Sequence, residues 1–125
     1  MSLRVLVVDD EPGVARSLQA YLEDEGMQVR SAGSAEEALE LVQAGAAFDV
    51  CIMDMRLPGM DGDVAIRRLH RVRPRMHYII HTGTAGYALS DDLRAMGIGN
   101  DQLFMKPLPD MSPLVDTIRG LGVER

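Results

Sequence analysis

The chain reads as an α/β domain, (βα)5, with a doubly wound parallel sheet of five strands and helices on both faces. Three features predict this. Short apolar runs rich in β-branched residues alternate five times with segments of helical spacing. The links between them are about 2 to 8 residues long, as βα and αβ links usually are. Strand, helix and strand in succession call for right-handed crossovers and hence parallel pairing.

Arg4–Asp9 (RVLVVD) is nearly continuous in apolar residues, the mark of a strand buried on both faces. Pro12 suits the first turn of a helix, Val14, Leu18, Tyr21 and Leu22 follow at helical spacing, and Gly26 ends the segment. Gln28–Ala32 (QVRSA) is a weaker second strand. Ser34 with Glu37 makes a capping box before a stripe of Ala35, Ala38, Leu39 and Val42, and Gly45 stops that helix.

Val50–Asp54 (VCIMD) is the third strand, and Leu57–Gly62 (LPGMDG) carries turn chemistry. Asp63 is placed to cap a helix with Ala65, Leu69 and Val72 inward, closed by Pro74. His77–Thr82 (HYIIHT) is the fourth strand, and Ser90 caps a short helix over Asp91–Met96 that Gly97 and Gly99 break. Gln102–Lys106 (QLFMK) is the fifth strand. Ser112 and Pro113 start a last helix with Leu114, Ile118 and Leu121 inward.

The 125 residues amount to one domain, long enough for a core without staples. Hydrophobic residues at 46% and charged residues at 26% exclude a disordered or fibrous chain. A single cysteine, Cys51, has no internal disulfide partner. No apolar run approaches the roughly 20 residues of a membrane span, and no secretory signal opens the chain. A cytoplasmic location is therefore expected. The net charge of −6 argues against direct nucleic-acid binding, which needs Lys and Arg to neutralise phosphates. The charge is uneven: residues 1–63 hold 4 basic and 13 acidic side chains, a composition that suits gathering a cation.

Strands one and three end in carboxylates, Asp9 and Asp10 in one and Asp54 in the other. In open α/β sheets ligands sit beyond the carboxyl ends of the strands, at the point where strand order reverses. If strands one and three adjoin, three carboxylates converge there. Two such charges about 4 Å apart repel by roughly 4 kcal/mol at an effective dielectric near 20, so the cluster must take up a proton or a cation. Hard oxygen ligands suit Mg²⁺. Strands four and five end in Thr82 and Lys106, a hydroxyl donor and an ammonium at the same edge. That set can hold a phosphoryl group, with Asp54 as the nucleophile that becomes an aspartyl phosphate.

Asp9-Asp10, Asp54 in DMRLPGMDG, Thr82 and Lys106-Pro107, in that order and at those intervals, resemble the receiver domain of bacterial two-component response regulators. The resemblance spans essentially the whole chain. It implies a flavodoxin-like sheet of order 2-1-3-4-5, and a single receiver domain over 1–125 with no output domain in this chain. It implies a phosphoacceptor switch in a phosphorelay rather than an enzyme, though one that assists its own phosphorylation and dephosphorylation. Asp54 would receive the phosphoryl group from a sensor histidine kinase or a phosphotransfer protein. Asp10 would bind Mg²⁺ directly, Asp9 through water, and the backbone carbonyl of Arg56 would complete the protein ligands. Lys106 would pair with the phosphoryl group, Thr82 would hydrogen-bond to it, and the Lys106–Pro107 bond would be cis. The face made by helix four, strand five and helix five would carry output, with a receiver homodimer as one form of it.

Two departures accompany the match. Leu103 stands where the family usually has an aromatic residue, and Phe104 beside it points to the opposite face. The stretch Gly97–Lys106 is about two residues longer than the family pattern, the excess falling near Gly97–Asn100. Two other readings stand beside the first: an interaction module independent of phosphorylation, and a Mg²⁺-dependent phosphatase. The phosphatase reading lacks an Asp-x-Asp motif after the first strand. His77 and His81, about 13 Å apart along a strand, cannot share one ion and are structural. The basic run Arg67–Arg75 reads as a solvated helix face, the methionines as core filler, and Cys51 as an inert thiol.

Overall fold

In a computed structural model that describes residues 2–84 and 86–122, five parallel strands lie in the order β2-β1-β3-β4-β5. The strands are β1 (Arg4–Val8), β2 (Gln28–Ala32), β3 (Val50–Met53), β4 (His77–Thr82) and β5 (Leu103–Met105). The helices are α1 (Pro12–Asp24), α2 (Ala35–Gln43), α3 (Gly62–Val72), α4 (Asp91–Ala95) and α5 (Ser112–Arg119). The chain leaves β1 toward β2, then returns past it to β3, so the sheet order reverses between β1 and β3.

Strand alternation sends side chains into two cores. Leu6, Val8, Cys51, Met53, Tyr78 and Ile80 pack with the inward stripes of α2, α3 and α4. Val5, Val7, Val50, Ile52 and Ile79 pack with α1 and α5 on the other face. Every residue of β3 is buried, as a continuous apolar run requires. Each large aliphatic side chain so buried contributes about 1.5–3 kcal/mol to folding. Leu103 packs on the first core and Phe104 on the second, the opposition expected of neighbours on a strand.

Ser34 caps α2, its Oγ accepting from Glu37 N at 3.1 Å, which is the serine half of the predicted box, and Ala35, Ala38, Leu39 and Val42 are buried. Ser90 likewise caps α4, accepting from Leu93 N at 3.2 Å. Two details differ from expectation. Asp61, not Asp63, caps α3, accepting from Val64 N at 3.0 Å, while Asp63 lies in the first turn and binds Arg67 at 2.8 Å. Gln102 closes a 3₁₀ turn (Asn100–Gln102) instead of opening β5, and its side chain bonds Tyr78 O at 2.7 Å. The last helix starts at Ser112 as expected, with Met111 at its N-cap, and the Ser112 N–H donates to Asp110 Oδ1 at 2.9 Å.

Candidate functional site

The reversal of strand order sets the tips of β1 and β3 side by side, with Val8 paired to Met53. The residues that follow these two are therefore neighbours. Asp9, Asp10, Glu11 and Asp54 each offer a carboxylate oxygen, and the four oxygens lie within 4.8 Å of one another. Asp9 and Asp54 are buried, whereas Asp10 and Glu11 are exposed. The set is made of hard oxygen donors and fits a small divalent cation, with room for water on its exposed side.

Local backbone bonds fix both buried carboxylates. Asp9 Oδ1 accepts from Glu11 N at 2.9 Å, and Asp54 Oδ1 accepts from Arg56 N at 3.2 Å. The second bond folds the Asp54–Arg56 turn back on the acid. Gly62 packs behind it: a Cβ there would lie 2.6 Å from the Asp54 carbonyl oxygen and 2.8 Å from Met55 Cα. Glu36 reaches across from α2, and its Oε2 accepts from Met60 N at 3.3 Å, tying down the β3–α3 loop.

Lys106 supplies the charge that holds the cluster together. Its Nζ is 2.7 Å from Asp9 Oδ2, 3.2 Å from Asp54 Oδ2 and 3.4 Å from Glu11 Oε1. Burial alone would lower the lysine's pKa, but the Asp9 and Asp54 carboxylates more than offset it and raise it. Burial holds the Asp54 carboxyl above the ordinary aspartate range, against the downward pull of the Arg56 N–H and Lys106. The Lys106–Pro107 bond is cis, as the resemblance implies.

Thr82 is fully buried at the end of β4. Its carbonyl accepts from Lys106 N at 2.8 Å, which seats the lysine at the same sheet edge. Its Oγ1 accepts from Thr84 N at 3.2 Å, leaving the hydroxyl proton to be donated elsewhere. The structure thus gathers Asp9, Asp10, Asp54 and Lys106 at one edge, with Thr82 beside them by register. Arg56 is exposed, and its backbone N–H is what reaches Asp54.

One residue was missed from the sequence. Glu11 joins the acidic group, and its only advance signal is adjacency to Asp10. His81 is buried with neither ring nitrogen partnered, and burial lowers its pKa from 6.5 to about 4. Cys51 is fully buried, and burial pushes its thiol far up, in keeping with an inert role. No helix among the described residues is long and apolar enough to cross a membrane.

A profile of the response regulator receiver domain matches residues 5–119. The transcriptional regulatory protein AruR of Pseudomonas aeruginosa is 41% identical over 112 residues, covering 84% of this chain and 43% of that protein. The cell cycle response regulator CtrA of Brucella ovis is 30% identical over 105 residues, covering 84% of this chain and 44% of that protein. The chain spans less than half the length of these curated relatives. Among solved structures, a CheY-like receiver domain from Methanospirillum hungatei superposes with a TM-score of 0.82 at 31% identity, over 96% of this chain and 93% of that one. The response regulator TrrA of Thermotoga maritima, solved in complex with Mg²⁺–BeF, superposes with a TM-score of 0.78 at 25% identity, over 94% of this chain and 97% of that one. Acidic cluster, strand order and sequence agree: the chain belongs to the response regulator receiver domain family.

Proposed function

We propose that the domain is a phosphoacceptor switch in which Asp54 takes a phosphoryl group from the phosphohistidine of a sensor histidine kinase or phosphotransfer protein. The observation that carries this reading is the Lys106 ammonium lying 3.2 Å from Asp54 Oδ2 within a cluster of four carboxylates. An Asp54 carboxylate oxygen attacks phosphorus. The P–O bond forms as the P–N bond of the donor breaks, and the leaving imidazole nitrogen takes a proton. Lys106 offsets charge on the phosphoryl oxygens, and Thr82 donates its hydroxyl proton to one of them.

Asp10 directly, Asp9 through water, Asp54 and the Arg56 backbone carbonyl would hold Mg²⁺, with Glu11 near enough to join them. When bound, the ion neutralises charge on the carboxylates and on the incoming phosphoryl group. The family's solved relative with Mg²⁺–BeF supports this assignment. On this reading the α4–β5–α5 face transmits the change. A receiver homodimer is one route for output, the cytoplasm is the location, and nucleic acid is not touched by this domain. The domain assists its own phosphorylation and dephosphorylation without turning over an external substrate.

The test is incubation with acetyl phosphate and Mg²⁺, read by intact mass. One added phosphoryl group on the wild type and none on Asp54→Asn is the expected result. Equal labelling of the variant, or no labelling of the wild type, overturns the assignment. Multiple turnover of a generic phosphate ester would point to a phosphatase.

A further inference from the structure

Asp54 and α3 are joined by a loop, residues 55–61, on which the acidic site depends. Local bonds hold its two ends. At the start, Arg56 N donates to Asp54 Oδ1 at 3.2 Å, and Met55 and Leu57 are buried in the first core. At the finish, Asp61 caps α3 through Val64 N at 3.0 Å, and Gly62 N donates to Met55 O at 3.3 Å. Pro58 and Gly59, at the tip between them, are exposed.

The tip is met by a side chain from another element. Glu36 stands in the first turn of α2, and its Oε2 accepts from Met60 N at 3.3 Å across 24 positions of sequence. The same oxygen crowds Gly59. A Cβ on Gly59 would lie 3.0 Å from Glu36 Oε2, and the Gly59 φ of +80° is one that glycine adopts freely. An acceptor is thus placed on the Met60 N–H, and a glycine leaves that acceptor room. The helix beneath is firmly seated: Ser34 caps it, and Ala35, Ala38, Leu39 and Val42 are buried. Glu36 is not one of the four acids of the cluster.

An ion at the cluster is more sensitive to this tip than the fold is. Mg²⁺ demands near-octahedral geometry with oxygens at about 2.0–2.1 Å. On the reading proposed above, one of those oxygens is the Arg56 carbonyl. With the tip released, the buried Met55 and Leu57 still hold the chain to the core, but the backbone around Arg56 loses its outer restraint.

We propose that Glu36 is a positioning residue for the cation site: by holding Met60 N it fixes the β3–α3 loop and, through it, the Arg56 carbonyl, and so sets the affinity for Mg²⁺. The inference rests on the phosphoacceptor reading for its metal ligands. In this role Glu36 touches backbone, not the ion or the phosphoryl group. It acts as a hydrogen-bond acceptor rather than as a charge.

The experiment is a Mg²⁺ titration of the metal-free protein followed by amide chemical shifts. It is joined to the rate of phosphoryl uptake from acetyl phosphate at low and at saturating Mg²⁺. Glu36→Ala should raise the Mg²⁺ Kd by about threefold to tenfold, the worth of one hydrogen bond. Glu36→Gln keeps an acceptor oxygen without the charge and should stay within about twofold of the wild type. Glu40→Ala, an equal charge change one turn further along α2, should leave Kd unchanged. Phosphoryl uptake by Glu36→Ala should be slow at low Mg²⁺ and return to the wild-type rate at saturation. Glu36 is exposed, so its variants keep the core, and melts in EDTA check this. An unchanged Kd in Glu36→Ala would overturn the proposal. So would equal weakening by Glu36→Ala and Glu36→Gln, which would mean that charge alone acts. A raised Kd with no labelling of wild-type Asp54 would keep the positioning role and remove the phosphoacceptor reading. Labelled Asp54 with an unmoved Kd would do the reverse.

Discussion

Replacing Lys106 by Met removes the cation from the acidic cluster while keeping most of the side chain's length. The ammonium lies 2.7 Å from Asp9 and 3.2 Å from Asp54, and the lysine side chain is only 12% exposed. At an effective dielectric near 20, each contact is a gross attraction of about 5 kcal/mol. Desolvation cancels much of that, and stripping one partner from a buried ion pair costs about 3–5 kcal/mol net. Asp10 and Glu11 are exposed and add little. We expect the metal-free variant to lose about 3 kcal/mol, which for a domain of this size lowers Tm by roughly 10 °C.

The same variant should respond more strongly to Mg²⁺. In the wild type an arriving ion competes with Lys106 for Asp9 and Asp54. In Lys106→Met it meets uncompensated carboxylates and binds tighter. If its Kd falls to a hundredth of the added concentration, binding returns about 2.7 kcal/mol by mass action. The assay is a melt followed by circular dichroism at neutral pH, in EDTA and in about 10 mM Mg²⁺. A metal-free variant melting within about 2 °C of the wild type, or a Mg²⁺-induced rise no larger than the wild type's, would refute the reasoning.

Three further outcomes follow from a buried imidazole and from two glycines. His81 has a folded pKa of about 4 against an ordinary 6.5, so the unfolded chain binds more protons between those values. Stability should therefore fall as pH drops through that window, and His81→Leu should flatten the slope; urea midpoints at pH about 5 and about 7 check this, and an unchanged slope contradicts it. Gly62→Ala should destabilise by about 1–3 kcal/mol and slow phosphorylation, because its Cβ would lie 2.6 Å from the Asp54 carbonyl. Gly13→Ala, with nothing within 4 Å, should instead stabilise by about 0.5–1 kcal/mol, and equal melting of the two variants would contradict the packing argument.

The sheet could be read from the chain because its strands are buried on both faces and so spell unbroken apolar runs, as Val50–Met53 does. Asp9, Asp10, Asp54, Thr82 and Lys106 stood out because each follows or ends such a run. Details set by contacts between distant segments did not stand out. Asp61 and Asp63 are equally good caps on paper, and Asp61 is the one used because Gly62 begins α3 pressed against the Asp54 backbone. The turn at Asn100–Gln102 exists because the Gln102 amide finds Tyr78 O across the sheet, a bond no local pattern announces. The resting partners of Lys106 were also hidden, since nothing local sets a lysine's distance from two aspartates. The expected repulsion among the acids is met in part by that ammonium.

The sheet has two outermost strands, and they end its hydrogen-bonding ladder in different ways. On β2, Gln28, Arg30 and Ser31 are exposed, so a strange strand approaching that row of open N–H and C=O groups would meet polar and charged side chains. On β5 the row is only three residues long, and Pro107, with no amide proton, stands two positions beyond its end. Neither border offers a long flat template, which favours a chain that can be made in quantity without seeding fibrils through its margins.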